Sequence, residues 1–361
     1  MNNSSLLISA ATLGSGGAER VLSILSHPFA DNYSDITLIL WKHFPEFYQI
    51  DERIKIKYIP EYRGIFGFFK QLIWFRKFVK SNKISTILSF LYPYSIRVIL
   101  SLLTTPVNII VAERRDPRKV KGGIIVRWIR DLLYIKAKKI IVQSTFNKRL
   151  YPFFLKSKIT VLYNPIKITP STYVYSTNNR VITVGRLINE KNHKLLIDAF
   201  TIFHKTHPNY TLEICGDGPL HNELKDYATS KGLILNNDIY LPGNVKNIDK
   251  ELSKASMFVL TSKSEGMPNA LYEALCKGIP CISTKVTGVM DLIRNREQAL
   301  LVSEDATKIS EAMSEIADNK EFAEYLGKQG KNLYQILNPT HVAQQWVKEI
   351  QQVIENSHNE D

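Results

Sequence analysis

Cysteine is scarce and badly placed for chemistry. Cys215, Cys276 and Cys281 are the only three in 361 residues, no two stand in a C-x-x-C spacing, and no histidine pair adjoins them. That pattern excludes a disulfide framework and a zinc site, and the three read as small buried hydrophobes. Also lacking is any apolar run approaching the ~20 residues that span a bilayer. The opening MNNSSLLISAATLG has neither the basic n-region nor the cleavage site of a secretory signal, so a cytoplasmic protein is expected. No D-x-D triplet occurs anywhere, which argues against a divalent cation clamped on a diphosphate. No RNP, KH or helix-turn-helix pattern accompanies the basic charge, and nucleic acid is not the expected partner.

What is present suits a large globular chain: 44% hydrophobic and 22% charged residues, enough for about two domains. The charge is unevenly spread. Residues 1–165 hold 26 Lys and Arg against 10 Asp and Glu, a net +16, whereas the remainder holds 21 against 24, a net −3. A basic half beside a near-neutral one implies a surface that meets phosphates of nucleic acid, lipid or substrate.

Short apolar runs alternate with longer amphipathic stretches. SLLISAATL, DITLILW, STILSFL, VNIIVAE and KIIVQS occupy the first part, and RVITVG, TLEICG, DIYLPG, SMFVLTS and PCISTK the second. Strand, helix, strand is the rhythm of doubly wound parallel sheets, here in two series and hence two Rossmann-like domains. Between them NPIKITPSTYVYSTNN, residues 164–179, reads as a linker.

Ligands of such sheets sit outside the carboxyl ends of the strands. The first loop there, TLGSGGAER at 12–20, places Gly16 and Gly17 before a helix start, where backbone amides can approach an anion. A dinucleotide fingerprint fails because Glu19 stands where the third glycine belongs; a tight turn that binds nothing is the even alternative. In VGRLINEKN, 184–192, Arg186 and Lys191 can neutralise a diphosphate, though either alone reads as a solvated surface charge. GDGP at 216–219 and PGNVKN at 242–247 are turn-rich strand ends. In SEGMPNALYEALCKGIPCI, Gly266, Met267, Pro268 and Asn269 bring amides to a helix N-terminus, and Glu265 and Glu273, eight apart, can both accept hydroxyl hydrogen bonds. A bare pair of this kind is more often a helix-end charge and a solvated helix residue.

Taken in order and at their spacings, GGAER, VGRL…EKN, GDGP, PGNV and SEGMPNALYEALCKGIPCI resemble the retaining glycosyltransferases of family 4, whose mark is an E-x7-E motif. Within that family the chain is most similar to bacterial enzymes that extend lipid-linked oligosaccharide, O-antigen or capsule repeats. The resemblance covers nearly the whole chain. It implies an α/β GT-B architecture of two facing Rossmann-like domains: an acceptor domain over 1–165 joined by a crossover helix at about 340–361, and a nucleotide-sugar donor domain over 178–339. It also implies that Arg186 and Lys191 grip the donor diphosphate, that Glu273 binds the ribose hydroxyls, and that Glu265 with the amides of 266–269 holds the transferred sugar. Gly16 and Gly17 would close on the phosphates from the other domain, and the backbone near Asn244 and Val245 would contact the base. Many family members carry a Glu-His pair where this chain has VAERRDP; Arg114 stands at the histidine's place, as a contact to donor or acceptor that cannot shuttle a proton.

The implied reaction moves a hexose or N-acetylhexosamine from a nucleotide sugar, expected to be a UDP-sugar, to a glycan acceptor expected to be lipid-linked. It uses no cofactor or metal, the fixed cations meeting the leaving charge. In a front-face course the leaving phosphate oxygen takes the acceptor's proton; a covalent intermediate is the other route. A sugar-nucleotide epimerase of the same fold, and a non-catalytic nucleotide-sugar or RNA-binding protein, stay open as alternatives. The acceptor half adds RGIFGFFKQLIWFRKFVKSNK, 63–83, an amphipathic helix with Arg63, Lys70 and Lys77 every seven residues beside Trp74 and several Phe. It reads equally as an interfacial helix on an anionic membrane, at the inner face of the cell membrane, or as a domain helix packing its Phe stripe on the sheet. A second basic stretch, Arg127 to Lys139, favours the membrane version.

Overall fold

The computed structural model describes residues 2–14, 16–118, 120, 122–169 and 178–358, with backbone alone at 2–4 and 358. Ser15 of the first glycine loop, residues 170–177 of the expected linker and the last three residues of the chain lie outside the described residues. The chain divides into two units, Met1–Pro165 with Leu337–Asp361, and Ile166–Ile336.

In unit 1 the order is β1 (Asn2–Ala10), α1 (Gly17–Asn32), β2 (Tyr33–Leu40), β3 (Lys55–Tyr58), α2 (Gly64–Ser81), β4 (Thr86–Phe90), α3 (Tyr94–Ser101), β5 (Asn108–Ala112), α4 (Gly123–Leu133), β6 (Lys139–Val142), α5 (Thr145–Arg149) and β7 (Ile159–Val161). The seven strands form one parallel sheet in the order β3-β2-β1-β4-β5-β6-β7. Strand side chains alternate between faces, so Leu6 and Ile8 join a core with Leu25 and Phe29 of α1, while Leu7 joins another with Phe75 and Val79 of α2 and Val98 and Ile99 of α3. Covered on both sides, β4 and β5 are buried at every residue, which is why they read as unbroken apolar runs.

Unit 2 holds β8 (Arg180–Val184), α6 (His193–His204), β9 (Thr211–Cys215), α7 (His221–Ser230), β10 (Ile239–Gly243), α8 (Ile248–Leu252), β11 (Met257–Leu260), α9 (Asn269–Lys277), β12 (Cys281–Thr284), β13 (Leu300–Val302), α10 (Ala306–Asp318) and α11 (Lys320–Lys331). Its six parallel strands run β10-β9-β8-β11-β12-β13. The order reverses between β8 and β11, as it does between β1 and β4 in unit 1; such a switch point opens a crevice at the strands' carboxyl ends. All three cysteines are buried, and burial pushes the thiols of Cys215 and Cys276 up to about 11 and about 12. Gly278, at φ +89°, ends α9, and its carbonyl lies 2.1 Å from where a side chain on Gly327 of α11 would start, so that helix contact tolerates only glycine.

After α12 (Tyr334–Leu337) comes α13 (Pro339–His358), which belongs to unit 1. Its Trp346 is fully buried, stacked on Phe90 at 5.9 Å and edge-on to Phe29 at 6.4 Å. Glu349 pairs with Lys139, and Asn108 Nδ2 donates to Ser357 Oγ at 2.8 Å.

Candidate active site

At the unit 2 switch point the strand-end loops are bonded to one another. The loop after β8 is held by the loop after β9: Gly185 N donates to Cys215 O at 2.9 Å and Leu187 N to Asp217 O at 2.9 Å. The glycines of GDGP make this contact possible, since a Cβ on Gly216 (φ +145°) would lie 1.9 Å from Gly185 O, and one on Gly218 2.5 Å from Leu187 O. Gly216 N in turn donates to Gly243 O at 2.8 Å, tying in the loop that carries exposed Asn244 and half-buried Val245.

Arg186 leaves this loop with its side chain exposed and its carbonyl fixed. Ile188 N donates to that carbonyl at 2.9 Å, and His193 Nε2 lies 3.2 Å from it. A carbonyl only accepts, so Nε2 carries the hydrogen and Nδ1 the lone pair. His193 Nδ1 is buried without a partner among the described residues, and burial pulls the imidazole down to about 4, so it is neutral at pH 7. His193 is thus a rigid strut under the Arg186 loop. Sequence reading passes over it, because a lone histidine at a helix start has no spacing to mark it.

Lys191 and Glu265 meet across the switch point. Glu265 Oε1 accepts from Lys191 Nζ at 2.5 Å and from Ser262 Oγ at 2.7 Å, and the two charged side chains are only 20% and 12% exposed. The backbone around them is equally tied: Lys263 N donates to Glu190 O at 2.9 Å, Thr261 Oγ1 to Asn192 O at 3.1 Å, and Thr284 Oγ1 to Ser262 O at 2.7 Å. The loop after β12 supports the acid-bearing turn from the other side. Gly288 N and Thr287 Oγ1 both donate to Glu265 O, at 3.2 and 3.3 Å, and a Cβ on Gly288 would come within 2.3 Å of Gly266 O. Tyr272 OH donates to Gly288 O at 2.9 Å. Ser262, Thr287 and Gly288 are contributors that the sequence reading did not single out; they lie outside the E-x7-E span or are common loop residues.

The turn Gly266, Met267, Pro268, Asn269 leads into α9, whose first amides have no partner in the helix itself. Glu273 is buried on α9, where every residue from Leu271 to Lys277 is buried. The two acids therefore have different settings, Glu265 in a partly open turn against a cation and Glu273 in the packed helix. Chemically, Lys191 beside the turn that opens α9, at the mouth of parallel strands, can meet an anion, and an arriving diphosphate would compete with Glu265 for it; no contact brings the exposed Arg186 side chain to that pair among the described residues.

In unit 1, Gly16 caps α1 in extended geometry and Gly17 is its first residue. The Glu19 carboxylate folds back over Gly16, its Oε2 2.2 Å from where a Cβ there would be, and negative charge is favoured at that helix end. Arg114 is interior: Nη1 donates to Leu162 O and Asn164 Oδ1, each at 3.2 Å, and the guanidinium lies 4.7 Å from the Trp346 ring centre. Its Nε and Nη2 have no partner among the described residues, and burial lowers its pKa to about 9, which leaves it charged at neutral pH. Neighbouring Glu113, buried, accepts from Tyr92 N at 3.1 Å and from Tyr134 OH, and burial raises its carboxyl.

Residues 167–333 match the family described as Glycosyl transferases group 1. Along nearly its whole length the chain is similar to a Campylobacter jejuni protein named GalNAc-alpha-(1->4)-GalNAc-alpha-(1->3)-diNAcBac-PP-undecaprenol alpha-1,4-N-acetyl-D-galactosaminyltransferase, 27% identical over 355 residues, 95% of this chain and 97% of that one. Another from the same organism, N-acetylgalactosamine-N,N'-diacetylbacillosaminyl-diphospho-undecaprenol 4-alpha-N-acetylgalactosaminyltransferase, is 28% identical over 316 residues, covering 81% of this chain and 84% of its own length. Among solved structures, Anabaena HepE in complex with UDP and glucose superposes with a TM-score of 0.81 over 96% of this chain and 99% of that chain at 15% identity, a likeness of fold.

Proposed function

We propose that this chain, whose residues 167–333 match the family Glycosyl transferases group 1, is a glycosyltransferase that moves a hexose or N-acetylhexosamine from a UDP-sugar to a lipid-diphosphate-linked glycan in bacterial surface polysaccharide synthesis. The observation that carries the reading is the Lys191–Glu265 pair at the β8/β11 switch point, inside the matched region. Arg186 and Lys191 take the donor diphosphate; Glu265, released from Lys191, and the amides of 266–269 hold the sugar to be transferred. Glu273 receives the ribose hydroxyls, the backbone near Asn244 and Val245 the base. Unit 1, 1–165 with about 340–361, serves the acceptor and 178–339 the donor; Gly16 and Gly17 close on the donor phosphates from unit 1, and Arg114 contacts donor or acceptor.

The UDP choice is supported by the ligand of HepE, and the lipid-diphosphate acceptor by the names of the two Campylobacter relatives. Those names also give α-linked products, which an α-linked nucleotide sugar yields with retention; this and the E-x7-E spacing support a retaining, family 4 assignment. Fixed cations in place of a metal meet the charge that develops on the departing phosphate, and that oxygen takes the acceptor's proton. With no helix among the described residues long and apolar enough to cross a membrane, work on a lipid-linked acceptor implies attachment by a basic surface at the inner face of the cell membrane.

The test is incubation with a panel of UDP- and GDP-sugars and undecaprenyl-diphosphate oligosaccharides, following label into lipid. Transfer from a UDP-sugar with an α-linked product is expected. Donor conversion without any acceptor would make the protein an epimerase, and donor binding without turnover a non-catalytic binder.

A further inference from the structure

Helix α4 is inside out. Arg130 and Asp131 are its buried residues, at 1% and 2% exposure. Arg130 donates to Pro117 O at 2.8 Å and pairs with Asp131 at 2.6 Å, while Arg127 donates inward to Leu150 O at 3.0 Å. The basic stretch from Arg127 thus turns key cations toward the protein. Outward stand Ile124 (68% exposed), Ile125 (71%), Trp128 (54%), Ile129 (50%) and Leu132 (56%), one stripe at helical spacing that Ile135 extends. The polar contacts fix this orientation, so the stripe cannot be a core face waiting to close.

α3 touches both α2 and α4, and α2 adds exposed Ile65, Phe66, Phe69 and Ile73 to the same helical layer. Around these apolar side chains Arg63, Lys70, Lys77, Lys80, Lys138 and Lys156 are exposed. Between Glu61 and Glu190 the only carboxylate side chains are Glu113, Asp116 and Asp131, and all three are buried. An apolar stripe rimmed by one sign of charge is complementary to an anionic bilayer. A second copy would set cation against cation in a two-fold contact.

We propose that α4 lies in the plane of an anionic bilayer with its Ile124, Ile125, Trp128, Ile129 and Leu132 side chains among the acyl chains, and that α2 supplies cations and further apolar contacts alongside. This deepens the reading of a lipid-linked acceptor and rests on it for its purpose, but vesicle binding is measured without any transfer. Insertion, unlike a purely electrostatic attraction, keeps part of the binding when salt screens the charges.

The purified full chain is sedimented with phosphatidylcholine vesicles with and without phosphatidylglycerol, at low salt and at about 0.5 M NaCl. Expected are strong binding to the anionic vesicles, a bound fraction that persists in salt, and quenching of Trp128 fluorescence by brominated acyl chains. Ile125→Asp and Trp128→Asp should each lower partitioning about tenfold or more, with transfer to a soluble acceptor analogue unchanged. Trp128→Phe, which keeps the face apolar, should bind normally and lose the quenching, so the assay survives if an Asp variant fails to fold. Unchanged partitioning of the Asp variants, complete release by salt, or a dimer in solution that Ile125→Asp dissociates would overturn the proposal. Vesicle binding without sugar transfer would instead count against the enzymatic reading alone.

Discussion

If Lys191 both pairs with Glu265 and takes the donor diphosphate as proposed, replacing it by alanine should reveal two separable duties. Glu265 is 12% exposed and has two side-chain donors, Lys191 Nζ at 2.5 Å and Ser262 Oγ at 2.7 Å. Without the lysine a largely buried carboxylate keeps one hydroxyl. Orphaning a fully buried partner costs 3–5 kcal/mol, and the residual exposure here brings the expected loss to about 2–3 kcal/mol. For a domain of this size that is a fall in Tm of roughly 5–10 °C. Turnover should fall about 10²-fold or more, since a cation facing the departing diphosphate acts chiefly in the transition state. Glu265→Gln removes the charge yet still accepts from Ser262, and the long lysine can reach water, so its stability loss should be only about 1 kcal/mol. In the double variant no orphaned carboxylate exists; its stability should match that of Glu265→Gln, while its turnover stays as low as that of Lys191→Ala. Urea unfolding and release of nucleoside diphosphate are the two measurements. Additive stability losses would show that the pair is not coupled, and near-wild-type turnover of Lys191→Ala would remove the lysine from the diphosphate.

Three further outcomes follow from the same loops. If Arg186 and Lys191 replace a metal, transfer should persist in excess EDTA; complete loss restored by Mg²⁺ or Mn²⁺ would contradict that role. Gly216→Ala should cost about 2–4 kcal/mol and displace the Arg186 loop, because its Cβ would lie 1.9 Å from Gly185 O; Gly232→Ala, with positive φ and open space around it, should cost only about 1–2 kcal/mol and leave turnover intact. His193 is depressed from its ordinary 6.5 to about 4, so the unfolded chain binds the proton more readily between those values. Its stabilising contribution is then present above pH 6.5 and lost as pH falls toward 4, at most about 3 kcal/mol. His193→Gln should flatten that slope in urea melts, and an unchanged slope would mean that another group titrates.

Every apolar run singled out in the sequence overlaps a strand, but β3, β7 and β13 are not among those runs. Each is an edge strand of three or four residues, and an edge strand lacks one neighbour and the full burial that makes a central strand read as unbroken apolar sequence. At the site, glycines and charges at strand ends were legible because their spacing is local. The Lys191–Glu265 contact spans 74 positions, and neither residue carries a mark of the other. Helix α4 teaches the converse lesson. Its period says which side chains share a face, but not which face turns inward; only the partners of Arg130 and Asp131 decide that. In α2 the two readings coexist, with Phe75 and Val79 packed on the sheet and Phe66 and Phe69 left outside.

Because α13 completes the core around Phe29 and Phe90, unit 2 is in effect an insertion within unit 1. On the ribosome, Met1–Pro165 must wait for all of Ile166–Ile336 before Trp346 emerges, on the order of ten seconds or more at ordinary rates of synthesis. During that interval the hollow that Trp346 fills is open to water and to chaperones. Unit 2 has no such dependence and can close first, so the order of folding runs against the order of the chain. A fragment cut at Pro165 would keep its seven strands and lack the helix that seals one face of them.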